Sequence, residues 1–196
     1  MSKIKSKIWF IDWFKCFQAY LEMARIGLLQ LEQKKYALEN IFKKDSLYVD
    51  QILLMPIVWN LKHSIELLIK CLDIRITGEF AAVHDIKMLQ SEIKKAFKKL
   101  KINDSKLLKD FIRLSRKYFQ LKVLPPSVVS AGRIRDFKND ILRYPNDKLN
   151  MGKFYKVSTK RLLGISDDIN GLNRLSLKIY SEITKAKIGV EEIFIN

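Results

Sequence analysis

The sequence holds little of what metal or redox chemistry needs. In 196 residues it has two histidines, His63 and His84, and two cysteines, Cys16 and Cys71. The cysteines lie far apart and form neither a zinc-binding spacing nor a disulfide framework. No metal site and no cofactor is expected. There is no G-x-x-x-x-G-K-[ST] loop, no dinucleotide glycine fingerprint and no H-E-x-x-H pair. Those gaps argue against a P-loop nucleotidase, a dinucleotide-dependent enzyme and a zinc protease. Gly 7 and Pro 4 are also low, and few breakers leave room for long helices. The N-terminal "MSKIKSKIWFIDWFKCF" is basic, then aromatic, and Asp12 and Lys15 interrupt it early. It predicts neither export nor a membrane span, and a reducing cytoplasm is the simplest setting. Acidic residues are scarce too, with Asp+Glu 21 against Lys+Arg 37, a formal charge of +16. Such a field favours polyanions and acidic protein surfaces. Biased codon use can produce the same Lys, Ile and Asn richness, so charge alone leaves nucleic-acid contact open.

Apolar residues are plentiful. A 48% hydrophobic chain with Phe 11, Tyr 7 and Trp 3 can bury one core, and residues 1–196 read as a single domain. Over 8–32, Trp9, Phe10, Trp13, Phe14, Phe17, Leu21, Ala24, Leu28 and Leu31 share one broad helical face. Over 47–74 the stripe is Leu54, Val58, Leu61, Ile65, Leu68 and Leu72, with Pro56 tolerated only near the start or at a kink. A connector around Gly78 leads to a helix over 86–100, which Asp85 could cap, facing inward with Ile86, Leu89, Ile93, Phe97 and Leu100. Another covers 104–122, with Leu107, Leu108, Phe111, Tyr118 and Phe119 inward. "VLPPSVVSAG" begins an irregular stretch, and a last helix is expected from Ser166 to Lys187 on Ile169, Leu172, Leu175, Ile179 and Ile183. The expectation is an all-α, up-and-down helical bundle with a short irregular insertion before the last helix.

Three groups of residues invite a chemical reading. Residues 92–122 carry eleven basic and three acidic side chains. The region is either a solvated helix face or a phosphate-facing surface. Lys94, Lys95, Lys98, Arg113, Arg116 and Lys117 are the expected phosphate contacts. His63, with Trp59 one turn before it, is placed opposite the apolar stripe of its helix. It suits a helix–helix contact better than a general base. Glu66 and Lys70 form an i,i+4 pair in the favourable order, worth about 0.2–0.5 kcal/mol on an exposed helix. The paired acids Asp167–Asp168 and Glu191–Glu192 point in different directions on a helix and read as surface or capping residues. Cys71 falls among apolar positions and should be buried and inert. The aromatic Trp9/Trp13 end could alternatively dock onto another subunit.

"HSIELLIKCL" (63–72), "HDIKML" (84–89) and "LRYPNDK" (142–148) occur in this order, with the last helix following. Together they resemble the HEPN superfamily of helical domains, over about residues 47–187. Members show an "ElllK" helix, an "HDL" or "HDI" helix start and a "RYP" segment. The resemblance implies a helical bundle, commonly a homodimer, with RNA cleavage or RNA binding in prokaryotic antiviral defence or toxin–antitoxin systems. Catalytic members carry an R-x(4–6)-H motif, in which Arg steadies the phosphate and His moves a proton of the attacking 2′-OH. This chain departs from that motif. Its nearest candidate runs from Arg75 to His84 with eight residues between, and no histidine follows position 84. Glu66, Lys70, His84, Asp85, Arg143, Tyr144 and Pro145 carry over as family framework or ligand-site residues. The sequence reading is therefore a HEPN-like module binding RNA or an acidic protein partner, without a membrane. The alternatives are a degenerate metal-independent endoribonuclease using His84 with Arg75 or Arg143, and a structural or regulatory interaction subunit.

Overall fold

The computed structural model describes residues 3–5, 10–33, 46–81, 86–99, 101–102, 104–124 and 157–185. The irregular insertion expected before the last helix, and His84, Asp85, Arg143, Tyr144 and Pro145 with it, lie outside the described residues. Within them the chain is all-α. Five helices are present, α1 (Phe10–Gln33), α2 (Ser46–Thr77), α3 (Ile86–Lys99), α4 (Ser105–Phe119) and α5 (Thr159–Lys185). A small ribbon joins them, in which β1 (Lys3–Lys5) pairs antiparallel with β2 (Glu79–Ala81). Gly78 makes the turn from α2 into β2 at φ 69°, in the left-handed region that glycine enters without a Cβ penalty.

The helix directions follow from residue contacts. The Cys71 thiol donates to the Phe10 carbonyl at 3.2 Å, Tyr20 packs on Trp59 and His63, and Gly27 faces Ile57. As α1 advances its partners on α2 recede, so the two run antiparallel. The same holds for α1 and α5. Phe14 lies 4.8 Å from Tyr180 between ring centroids, and Gln18 donates to the Ser176 hydroxyl at 3.3 Å. The inward face of α1 is Phe17, Leu21, Ala24, Leu28 and Leu31, the stripe its periodicity predicts.

Two features differ from the sequence expectation. First, α5 begins at Thr159, seven residues before Ser166. Ser158 closes its first turn, its hydroxyl accepting from the Arg161 amide at 3.3 Å. Gly164 inside a helix costs about 1 kcal/mol. Burial of Leu162 and Ile165 on the extended stripe, about 1.5–3 kcal/mol each, outweighs it. Second, Pro56 stands inside α2, exposed, with no N–H to offer the carbonyl of Ile52. Tertiary packing of Leu54, Ile57 and Val58 carries the helix through. Among the described residues no helix is long and apolar enough to cross a membrane.

Candidate nucleic-acid interface

Helix α4 is strongly two-faced. Leu107, Phe111, Leu114, Tyr118 and Phe119 are buried, while Lys106, Lys109, Arg113 and Arg116 are exposed. Its start is set by Asp104, whose carboxylate accepts from the Leu107 amide at 2.8 Å. Helix α3 packs beside it, with the Gln90 amide donating to Ser115 at 2.9 Å. A shallow groove results, lined by Lys94 from α3 and by Lys109, Arg113, Arg116 and Lys117 from α4, with Lys122 just beyond. Leu108 and Ile112 form its aliphatic part.

Acids compensate two of these six cations. Arg113 lies 3.4 Å from Asp110 at the exposed surface, a pair that exchanges readily with solvent and ligands. Lys117 is held more firmly. Its ammonium and the Tyr118 hydroxyl both donate to Asp168 of α5, the latter at 2.8 Å. Burial, with the negative Asp168 beside it, pushes the Tyr118 phenol well above its ordinary range. Asp168 was expected at the surface or at a helix cap. It instead fastens α4 to α5 and fixes the angle at which α4 presents its cations. Lys94, Lys109, Arg116 and Lys122 form no ion pair among the described residues.

The expected contacts therefore separate. Lys94, Arg113, Arg116 and Lys117 share the groove. Lys95 pairs with Glu92 at 2.9 Å and lines a different cleft, between α2 and α3, with Lys99 and Asp73. Lys98 is exposed on α3 one turn from Lys94. Two groove cations were not among the expected phosphate contacts, Lys109 and Lys122. The signal for Lys109 was its i,i+4 spacing to Arg113. Lys122 was expected at the end of a helix over 104–122, but α4 stops at Phe119 and Lys122 lies past it.

Of the residues that carry the family resemblance, the described pair Glu66 and Lys70 sits elsewhere. Glu66 is fully buried and accepts from the Lys70 ammonium at 2.6 Å. The surface-pair energy expected for them does not apply, because α2 is covered on nearly every side from Asn60 to Ile74. Lys62, Glu66, Lys70 and Asp73 fall within one arc of α2, with Lys62 over the Phe119 ring and Lys70 near Phe80. Arg75 stands in the last turn of α2, its guanidinium carbon 5.4 Å from the centroid of Phe10. His63 is stacked on Trp59 at 5.1 Å with Tyr20 edge-on at 4.4 Å, in an α1–α2 contact. Trp13 is half-buried against Phe80, 4.8 Å between centroids, so it is not a free docking knob. Cys71 is buried, which pushes its thiol up to about 12. No family model, curated protein or solved structure matches this chain at significant similarity.

Proposed function

We propose that this chain is a HEPN-like helical module that binds RNA through the α3–α4 groove, without cleaving it. The single observation that carries the reading is the convergence of Lys94, from α3, with Lys109, Arg113 and Arg116 of α4 in one open groove. Cations gathered on one face lower the cost of approaching phosphates and steer a polyanion to that face. The family part rests on sequence and placement. "ELLIK" lies in the central helix with its Glu66–Lys70 pair closed, and α3 starts at Ile86, immediately after "HD". That resemblance supplies the prokaryotic defence or toxin–antitoxin setting and the homodimer as further parts of the proposal. Cleavage is the weaker reading because Arg75 is packed against Phe10.

The test is RNA binding by fluorescence anisotropy across a salt series. Affinity should fall steeply with added salt when several phosphates are contacted. Absence of RNA binding at 20 mM salt would sink the reading, and capture of an acidic protein instead would reassign the groove to it. RNA cleavage lost in His84→Ala but present in the parent chain would restore the nuclease.

A further inference from the structure

The groove that gathers the cations presents no aromatic ring among the described residues. Its walls are lysine and arginine, with Leu108, Ile112 and Gln120 between them. The rings that α4 does carry, Phe111, Tyr118 and Phe119, are fully buried and belong to the core. Sites that hold single strands combine a basic track with aromatic platforms on which successive bases stack. Among the described residues the basic track stands alone, and what those side chains can engage is phosphate.

The layout of the cations adds a second argument. Lys109 and Arg116 are two helical turns apart on one face, about 10 Å along the axis. Lys94 flanks them from the neighbouring helix, and Lys122, beyond the end of α4, lines the same groove. The Lys117–Asp168–Tyr118 contacts lock the supporting helix in place. A row of charges on a rigid rod matches a ligand whose phosphates are themselves rigidly spaced. A duplex meets that condition and carries the denser charge; a single strand loses conformational entropy when it is drawn straight.

We infer that the α3–α4 groove recognises the phosphate backbone of double-stranded RNA, independently of base sequence. The inference rests on the RNA-binding reading and narrows its substrate class. With the four cations that form no ion pair among the described residues each taking one phosphate, and the B-form duplex value of about −0.9 per phosphate, log affinity should fall with log salt at a slope of about −3.6. That is a loss of about 150-fold between 50 and 200 mM salt. Four contacts to a single strand, at about −0.7 each, give about 50-fold.

The experiment uses the full chain and four labelled probes, two 20-base-pair RNA duplexes of unrelated sequence and one strand of each. The expected result is tighter binding of each duplex than of its strand, with the two duplexes within about threefold of each other. The double variant Lys94→Gln/Arg116→Gln, both exposed positions, should keep its helical circular dichroism and lower the duplex slope by about 2. Tighter binding of the strands, or a tenfold difference between the duplexes, overturns the inference while leaving the RNA reading intact. An unchanged slope in a folded double variant overturns the assignment to this groove. Failure of all four probes to bind at 20 mM salt removes the RNA reading and the inference together.

Discussion

Replacing Lys70 with methionine probes the interior of α2 directly. Lys70 is 8% exposed and Glu66 is 0% exposed, and they are joined at 2.6 Å. Methionine keeps much of the length and the apolar stem, so the loss is chiefly the ammonium. The Glu66 carboxylate would then be buried without the cation that now faces it. Removing one partner of a buried pair costs about 3–5 kcal/mol, far above the 0.2–0.5 kcal/mol of an exposed helical pair. For a chain of this size about 3 kcal/mol lowers the melting temperature by about 6–12 °C. Urea denaturation followed by circular dichroism measures the effect, with the slope m unchanged if the unfolded surface is the same. Glu66→Gln/Lys70→Met should recover most of the loss, because neither charge of the pair then remains to be desolvated. A loss below about 1 kcal/mol for Lys70→Met alone, or a double variant as unstable as the single, would refute the claim that the pair is held by burial.

Four further outcomes follow from the same contacts. Asp168→Ala strands the buried Tyr118 hydroxyl and should cost about 1–3 kcal/mol in urea denaturation, with Tyr118→Phe milder. Gly27→Ala places a Cβ 2.9 Å from Ile57 Cγ1 and should destabilise by about 1–3 kcal/mol, whereas Gly164→Ala, with open space around it, should stabilise by about 0.5–1 kcal/mol. Under native conditions at pH 8 a thiol reagent should label exposed Cys16 and spare Cys71 until the chain unfolds; rapid labelling of both would contradict the burial. The folded thiol of Cys71 lies above its unfolded value, as does the Tyr118 phenol. For Cys71 that stability is complete below about 9 and is lost as pH rises from there to about 12, and for Tyr118 the loss begins as pH passes the ordinary phenol value, so the melting temperature should fall as the pH is raised into the alkaline range.

Burial patterns were legible wherever a helix has one covered face. Phe17, Leu21, Ala24, Leu28 and Leu31 were readable on α1, and Phe111, Tyr118 and Phe119 on α4, because a 3.6-residue period reports which side meets the core. The cations on the opposite arc of α4 were legible for the same reason. The method fails on α2, which is covered on nearly every side from Asn60 to Ile74. Its apolar stripe is real, but periodicity cannot show that the other side, with Lys62, Glu66, Lys70 and Asp73, is also buried. The start of α5 was misplaced because Gly164 and "SDD" form a local stop-and-start signal, which the packing of Leu162 and Ile165 overrides.

The sequence by itself determined the helical class, the inward stripes and the excess of positive charge, since each depends on residue type and short spacing alone. Only the tertiary structure decided which cations meet. Lys94 joins Arg116 because α3 and α4 pack together, and Lys117 is drawn to Asp168, 51 residues away. It also turned Glu66–Lys70 from a surface pair into a buried one. Such outcomes depend on what covers a side chain. That is set by contacts between segments distant in sequence, which no local pattern encodes.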